Sequence, residues 1–497
     1  MKFPRSSGIL LPLSALPSSH GIGDLGPNAY RFVDWLKEAK QKLWQILPFS
    51  ITDEHGCPYS SISAFGANPH LISLDKLVDA GMLLKEELVD VHNIFGKNVH
   101  YEEVEEYKQV LFYKAFERFK SQKLFEKEFN QFCKSEAYWL DDLALFAVIT
   151  DQLGNYWVEW PHEVKYRYPE ALEKFRKNSE EQIVFHKFLQ FLFFMQWAQL
   201  KSYANSQGIK IIGDIPIFLS HHSMDVWRNP ELFKLDDYGM PYVVTGAPPD
   251  QFSTTGQKWG NPNYNWWRME QDGFLWWRNR MSYNLRFYDI IRLDHFRGFA
   301  ATWEIDRDNP DARTGRWSWV PGDNLFHCFK HFLGDIPLIV EDLGKITDDV
   351  IALREKYDLP GMKILQMAFD EGDSNKHLPH HFPENCVVYT GTHDNNTTQG
   401  WFKGLGLTLE AFYATRYTGA WNWDHMNWSL IHLAAHSKAI MAIYPLQDIM
   451  GLGPEGRINV PGTTGINWTW RFSWDELKSE DTAHLIEITQ AAHRNKF

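Results

Sequence analysis

The sequence predicts an α/β protein, a (β/α)8 barrel carrying inserted subdomains, one of them mainly helical. Eight short apolar runs bounded by turn residues have the length and composition of buried strands. Helical patterns fill several of the intervals between them, as a parallel sheet requires. Two connections far longer than ordinary βα loops locate the insertions.

The eight runs are 8–11, 43–47, 209–218, 290–296, 338–343, 362–369, 387–391 and 439–446. A helix over 28–39 follows Gly26-Pro27, a helix-start signal. The stretch 347–357 opens with Thr347-Asp348-Asp349 and ends before Pro360-Gly361, again a helix signature. Ser179 and Gln182 have capping-box spacing ahead of a long helix whose apolar positions Val184, Phe188, Phe191, Leu192 and Met195 recur at helical intervals. Between the second and third runs lie 161 residues, and between the third and fourth 71. The expected division is therefore a barrel from 1–75 and 179–497, a mainly helical insertion over 76–178, and an irregular insertion over 219–288 rich in Gly, Pro, Asn and Trp.

At 497 residues the chain is long enough for a large core, and 50 Lys plus Arg against 63 Asp plus Glu give a net charge of −13. That balance lacks the cationic footprint that nucleic acid or an anionic membrane requires. The most apolar stretch, 188–200, is interrupted by Gln190, Gln196 and Gln199 and is too short to cross a bilayer. The N-terminus has only a brief apolar stretch broken by Pro12, unlike a secretory signal. Cys57, Cys133, Cys328 and Cys386 are widely scattered, as reduced thiols are. A cytoplasmic protein without nucleic-acid or membrane partners is expected, as a monomer. The 34 Phe, 20 Tyr and 22 Trp include adjacent pairs at Trp266-Trp267 and Trp276-Trp277. Most such rings belong in a core, although an indole also suits the C–H face and hydroxyl rim of a sugar.

In a (β/α)8 barrel the working residues project from the C-terminal strand ends. Five carboxylates stand there: Asp214, Asp294, Glu341, Asp394 and Asp448. Arg292 and Asp294 are two apart on one strand and share a face, so the guanidinium keeps the carboxylate ionised and fit to act as a nucleophile. Glu341, entered from Leu338-Ile339-Val340, is placed for the raised pKa of a general acid. As a retaining pair their carboxyl groups should stand about 5 to 5.5 Å apart.

Three further patterns carry less. Gly451, Gly453 and Gly456 spell GxGxxG, but Pro454 interrupts them and no helix pattern follows. His377, His380 and His381 flank Pro379 in a loop without a nearby fourth ligand. Asp306, Asp308 and Asp311 resemble the start of a calcium loop but lack its glycine and terminal Glu. No metal and no cofactor is called for.

The segments Arg292-Leu293-Asp294-His295-Phe296-Arg297-Gly298, Val340-Glu341-Asp342-Leu343-Gly344 and Gly391-Thr392-His393-Asp394-Asn395 resemble the signature segments of the amylomaltase family, 4-α-glucanotransferases related to the α-amylase superfamily. The likeness extends to Gly21-Ile22-Gly23-Asp24-Leu25-Gly26, Pro58-Tyr59-Ser60, Gly213-Asp214-Ile215-Pro216, the stretch 247–261, Pro445-Leu446-Gln447-Asp448 and Asn467-Trp468-Thr469-Trp470-Arg471. It implies Asp294 as nucleophile, Glu341 as general acid and base, and Asp394 as a third carboxylate gripping sugar hydroxyls. Arg292, His393 and Tyr59 would support that sugar, with Asp214, Gln257 and Trp259 as neighbouring contacts, and 246–260 as a loop over the cleft to which Phe252 adds an apolar face. It further implies transfer of α-1,4-glucan segments between maltooligosaccharides, no cofactor, and no C-terminal β-domain. The alternatives are an α-glucan hydrolase and a non-catalytic glycan-binding protein. Asn396, Gln251 and Ile466 depart from the family's pattern.

Overall fold

The computed structural model of the chain describes residues 3–53, 55–89, 96–249, 253–420, 423–463 and 465–495. Its strands are β1 (Ser6–Leu10), β2 (Leu43–Gln45), β3 (Lys210–Ile215), β4 (Val243–Ala247), β5 (Gln257–Pro262), β6 (Ile290–Leu293), β7 (Ala301–Asp306), β8 (Arg316–Trp319), β9 (Leu338–Val340), β10 (Gly361–Ile364), β11 (Cys386–Tyr389) and β12 (Met441–Pro445). Eight of them close a parallel barrel in the order β1, β2, β3, β6, β9, β10, β11, β12. Each apolar run supplies one barrel strand, because strands covered on both faces read as nearly continuous hydrophobic sequence. Several runs outlast their strands. The fourth stops pairing at Leu293, and two residues later His295 takes a left-handed φ of 48° that turns the chain out of the sheet.

Helices Pro27–Glu38 and Asp348–Lys356 fall where Pro-first and Thr-Asp-Asp signals place them. The long helix Glu180–Ser206 forms as its apolar spacing requires, but the expected capping box does not. The Ser179 hydroxyl instead accepts a hydrogen bond at 3.0 Å from Gln152 Nε2 on helix Glu126–Leu153, so a tertiary contact takes the place of the local cap. The glutamines that break the apolar run have a role here. Gln190 accepts from Ala67 N–H at 2.8 Å and donates to Ala67 C=O at 2.9 Å, and Gln196 brackets Ser73 in the same way at 2.8 and 3.1 Å. Two buried amides thus satisfy the backbone of a strandless segment packed against the barrel.

Within 76–178 the long elements are helices Tyr101–Gln122, Glu126–Leu153 and Pro169–Asn178. Within 219–288 the chain is more regular than its composition indicates, containing β4, β5 and helices Met224–Arg228, Trp266–Gln271 and Leu275–Phe287. β4 and β5 join β7 and β8 in an antiparallel sheet ordered β5, β4, β7, β8, so half of that sheet comes from beyond residue 288. After β12 the described residues form helices and loops, ending in helix Ser479–Ala491. Among the described residues no helix is long and apolar enough to cross a membrane.

Candidate active site

The site begins with register. Asp214 on β3 lies directly opposite Arg292 on β6, and Arg292 lies opposite Ile339 on β9, two residues before Glu341. Parallel pairing therefore stacks one cation and three carboxyl groups at the same height of the barrel. Arg292 is 2 % exposed and reaches all three: Nη1 donates to Asp214 Oδ2 at 2.5 Å and to Asp294 Oδ1 at 3.1 Å, and Nη2 lies 3.1 Å from Glu341 Oε2.

A single guanidinium cannot neutralise three carboxylates, one fully buried and two partly buried, so the environment divides their protons. Burial and the negative charge of Asp294 push Glu341 well above the ordinary carboxylic range, outweighing Arg292. Burial also raises Asp294, but Arg292, a hydrogen bond from Glu341, and the nearby His295 and His393 overcome it and leave Asp294 below the ordinary range. Asp214 is pushed up to about 7, again by burial first, against the pull of Arg292. One acid holding its proton beside one ionised carboxylate is the division that a retaining displacement needs.

The left-handed turn at His295 has a second consequence. It aims the His295 N–H at Glu341 Oε2, at 2.7 Å, and the backbone Phe296 N–H at the Glu341 carbonyl, at 2.9 Å, locking the β6 and β9 loops together. Asp294 Oδ1 and Glu341 Oε2 each lie 3.1 Å from the Arg292 guanidinium, on Nη1 and Nη2 respectively, so one cation gathers the two groups at the same mouth.

Across the barrel mouth, Asp394 follows β11. Its Oδ1 accepts from Asn459 Nδ2 at 2.7 Å, its Oδ2 lies 3.4 Å from His393 Nε2, and its carbonyl accepts from Arg457 Nη2 at 3.0 Å. Asn459 and Arg457 had no signal in the sequence: they lie in an aperiodic stretch after β12. Tyr59 stacks on His393 with centroids 5.2 Å apart and planes 13° from parallel, and Trp468 packs against both rings at 5.9 and 6.0 Å. The Tyr59 hydroxyl donates to Asp214 Oδ2 at 2.7 Å, so the aromatic platform and the charged cluster are one network.

The sequence profile of the family described as 4-alpha-glucanotransferase matches residues 11–477. The 4-alpha-glucanotransferase of Synechocystis sp. is 43% identical over 499 residues, covering 99% of each chain, and that of Thermus thermophilus 42% identical over 504 residues, covering 99% of this chain and 100% of the other. The chain belongs to the 4-alpha-glucanotransferase family. Its structure superposes on the amylomaltase from Streptococcus agalactiae in complex with acarbose with a TM-score of 0.95, at 37% identity and 99% coverage of both chains. The amylomaltase from Corynebacterium glutamicum shares the fold, with a TM-score of 0.79 at 19% identity, covering 99% of this chain and 75% of the other.

Gln257 and Trp259 lie on β5. Trp259 Nε1 donates to Gln257 Oε1 at 3.1 Å, and the indole meets the His295 ring edge-on at 4.8 Å, directly after Asp294. Phe252 and Gln251 lie outside the described residues. Two members of the carboxylate set do not face the cleft. The Asp214 side chain has no exposed surface and holds Arg292 and Tyr59. Asp448 is buried, accepting from the hydroxyls of Thr390 at 2.5 Å and Thr398 at 2.7 Å and from the Thr398 N–H at 2.7 Å, which makes it an anchor for helix Thr398–Leu405. The histidines after β10 diverge: His377 Nδ1 accepts from Ile364 N–H at 3.2 Å, while His380 Nδ1 lies 2.8 Å from the Tyr417 hydroxyl.

Proposed function

We propose that the chain transfers α-1,4-glucan segments between maltooligosaccharides or starch-type glucans with retention of configuration. One observation carries the reading: Arg292 contacts both Asp294 and Glu341 at a single barrel mouth, where Asp294 is held below the ordinary carboxylic range and Glu341 is pushed above it. Glu341 gives its proton to the glycosidic oxygen as the bond breaks, and the Asp294 carboxylate attacks the anomeric carbon to form a glycosyl-enzyme. The leaving segment departs as a hydroxyl. Glu341, now ionised, takes the proton from the incoming sugar hydroxyl, whose oxygen displaces Asp294. Asp394, fixed by Asn459 and His393, accepts hydrogen bonds from hydroxyls of the sugar at the cleavage point, and the Tyr59 ring lies against its apolar face. Arg292 acts from below through its carboxyl partners. Gln257 and Trp259 cover the cleft and keep water from the intermediate.

In the same reading, 1–75 and 179–497 form the catalytic barrel, 76–178 the helical insertion, and 219–288 the insertion bearing the cleft loop 246–260. The acarbose held by the Streptococcus agalactiae amylomaltase supports a maltooligosaccharide-shaped cleft. Four separate free cysteines fit a reducing cytoplasm and a place in maltodextrin and glycogen metabolism. The test is incubation with maltotriose: glucose together with longer oligosaccharides, at nearly constant reducing ends, marks transfer, whereas steady growth of reducing ends without longer products marks a hydrolase.

A further inference from the structure

The edge strand β8 carries two tryptophans that the catalytic site does not use. Trp317 and Trp319 are two apart on the strand, so they stand on one face of the β5, β4, β7, β8 sheet with their Cα atoms about 6.5–7 Å apart. Trp303, in register with Trp317 on β7, meets it edge-to-face at 5.2 Å and is itself anchored by an Nε1 bond to the Ala312 carbonyl at 3.1 Å. The Arg297 guanidinium stacks on Trp317 at 4.3 Å. Trp319, at the end of this row, is 73% exposed. A large exposed indole set in a row of fixed rings is a costly surface feature unless something covers it.

The row is continuous with the catalytic loops. Arg297 is three residues after Asp294, and its Nη1 donates to Thr347 Oγ1 at 2.7 Å and to Asp349 Oδ1 at 3.2 Å on the segment that follows Glu341. The loops bearing both central carboxyl groups therefore hold the guanidinium on which Trp317 rests. Alternation along the sheet puts Trp259 and Gln257 on the opposite face, since Lys258 and Trp303 share a row through Gly246, so the row is distinct from the cover of the cleft. Pairing of β8 with a second copy is opposed by Arg316, the first residue of the strand, and Arg313 just before it, which are 60% and 64% exposed.

We propose that Trp317 and Trp319 form an auxiliary binding strip for a long α-glucan, stacking its apolar sugar faces outside the cleft and next to the β6 and β9 loops. The inference rests on the glucan-transfer reading for its ligand class. The strip takes chains long enough to leave the cleft and has no part in the reaction of a trisaccharide.

The test uses the full chain and its Trp319→Ala and Trp319→Phe variants in native gels with and without soluble starch, together with transfer kinetics on maltotriose and on amylose. Trp319→Ala should weaken retention by starch and raise KM for amylose by about three- to tenfold, with Trp319→Phe in between. Maltotriose kinetics should stay as in the wild type. Unchanged retention and unchanged KM for amylose overturn the proposal, as does an equal loss on maltotriose, which would place Trp319 in the cleft. A shift from dimer to monomer by light scattering without loss of retention also overturns it, assigning the face to a second copy. If the wild type performs no transfer yet its starch retention falls in Trp319→Ala, the strip stands and the catalytic reading fails.

Discussion

Arg292 Nη1 lies 3.1 Å from Oδ1 of Asp294, two residues further along the same chain, while the same nitrogen holds Asp214 at 2.5 Å. Nearly every property of the site follows from this buried cation. It keeps Asp294 ionised, offsets part of the burial of Glu341, and orients Asp214 under Tyr59.

Removing the guanidinium should therefore damage folding and chemistry together. Arg292→Met leaves the buried Asp214 and the partly buried Asp294 and Glu341 without their cation, a loss of about 3–5 kcal/mol. Urea unfolding should show that loss, and transfer activity should fall below detection. A variant of wild-type stability would show that the carboxyl groups do not depend on Arg292.

Glu341 makes the pH dependence of stability testable. Its folded-state pKa lies above the ordinary 4.5, so its contribution is complete below that value and is lost as pH rises through the folded-state pKa. Glu341→Gln carries no charge to bury. Its melting temperature should exceed that of the wild type by a margin that grows above pH 4.5 and levels off beyond the folded-state pKa, while glucan transfer collapses. A margin independent of pH would contradict the raised value. In the active enzyme, the alkaline limb of the rate profile should belong to Glu341 and the acid limb to Asp294.

Asn459 holds Asp394 at 2.7 Å, and nothing in the mechanism asks more of it than position. Asn459→Ala should lower kcat by about a hundredfold with little change in melting temperature. Asn459→Asp, which sets carboxylate against carboxylate, should do at least as much harm. Retained kcat in both would free Asp394 from this contact.

Tyr59 separates stacking from hydrogen bonding. Tyr59→Phe keeps the ring against His393 but loses the bond to Asp214, and should cost about tenfold in kcat/KM. Tyr59→Ala loses both and should cost about a hundredfold or more, with a clear rise in KM. Equal effects would mean that the ring contributes nothing.

Asp448 should behave as an anchor. Asp448→Ala leaves the Thr390 and Thr398 donors unpaired and should lower stability by about 3 kcal/mol or more. The fraction that remains folded should keep its kcat. Loss of kcat at unchanged stability would return Asp448 to the catalytic set.

The barrel was legible because a parallel strand buried on both faces is a continuous apolar run, and all eight runs stand out in the sequence. Arg292 and Asp294 were legible because residues two apart on a strand share a face. Standing at a strand end did not reveal direction, which is why Asp214 and Asp448 looked equivalent to Asp394 until their donors were seen. Asn459 and Arg457 reach Asp394 from an aperiodic segment 63 to 65 residues away, a purely tertiary relationship. The β4, β5, β7, β8 sheet was hidden by its short strands, two of them (β5 and β8) largely exposed, containing Gly246 and several tryptophans, a pattern without a clean period of two.

The central claim is a glycosyl-enzyme on Asp294, and trapping it is the most direct measurement. Glu341→Gln incubated with α-maltosyl fluoride forms the intermediate without needing the acid, since fluoride leaves unprotonated, but lacks the base that would resolve it. Mass spectrometry of the intact protein and its peptides should show one maltosyl group on the peptide containing Asp294, absent from the Asp294→Asn, Glu341→Gln double variant. Release of fluoride with the protein unmodified, or with the sugar attached at another residue, would contradict the account.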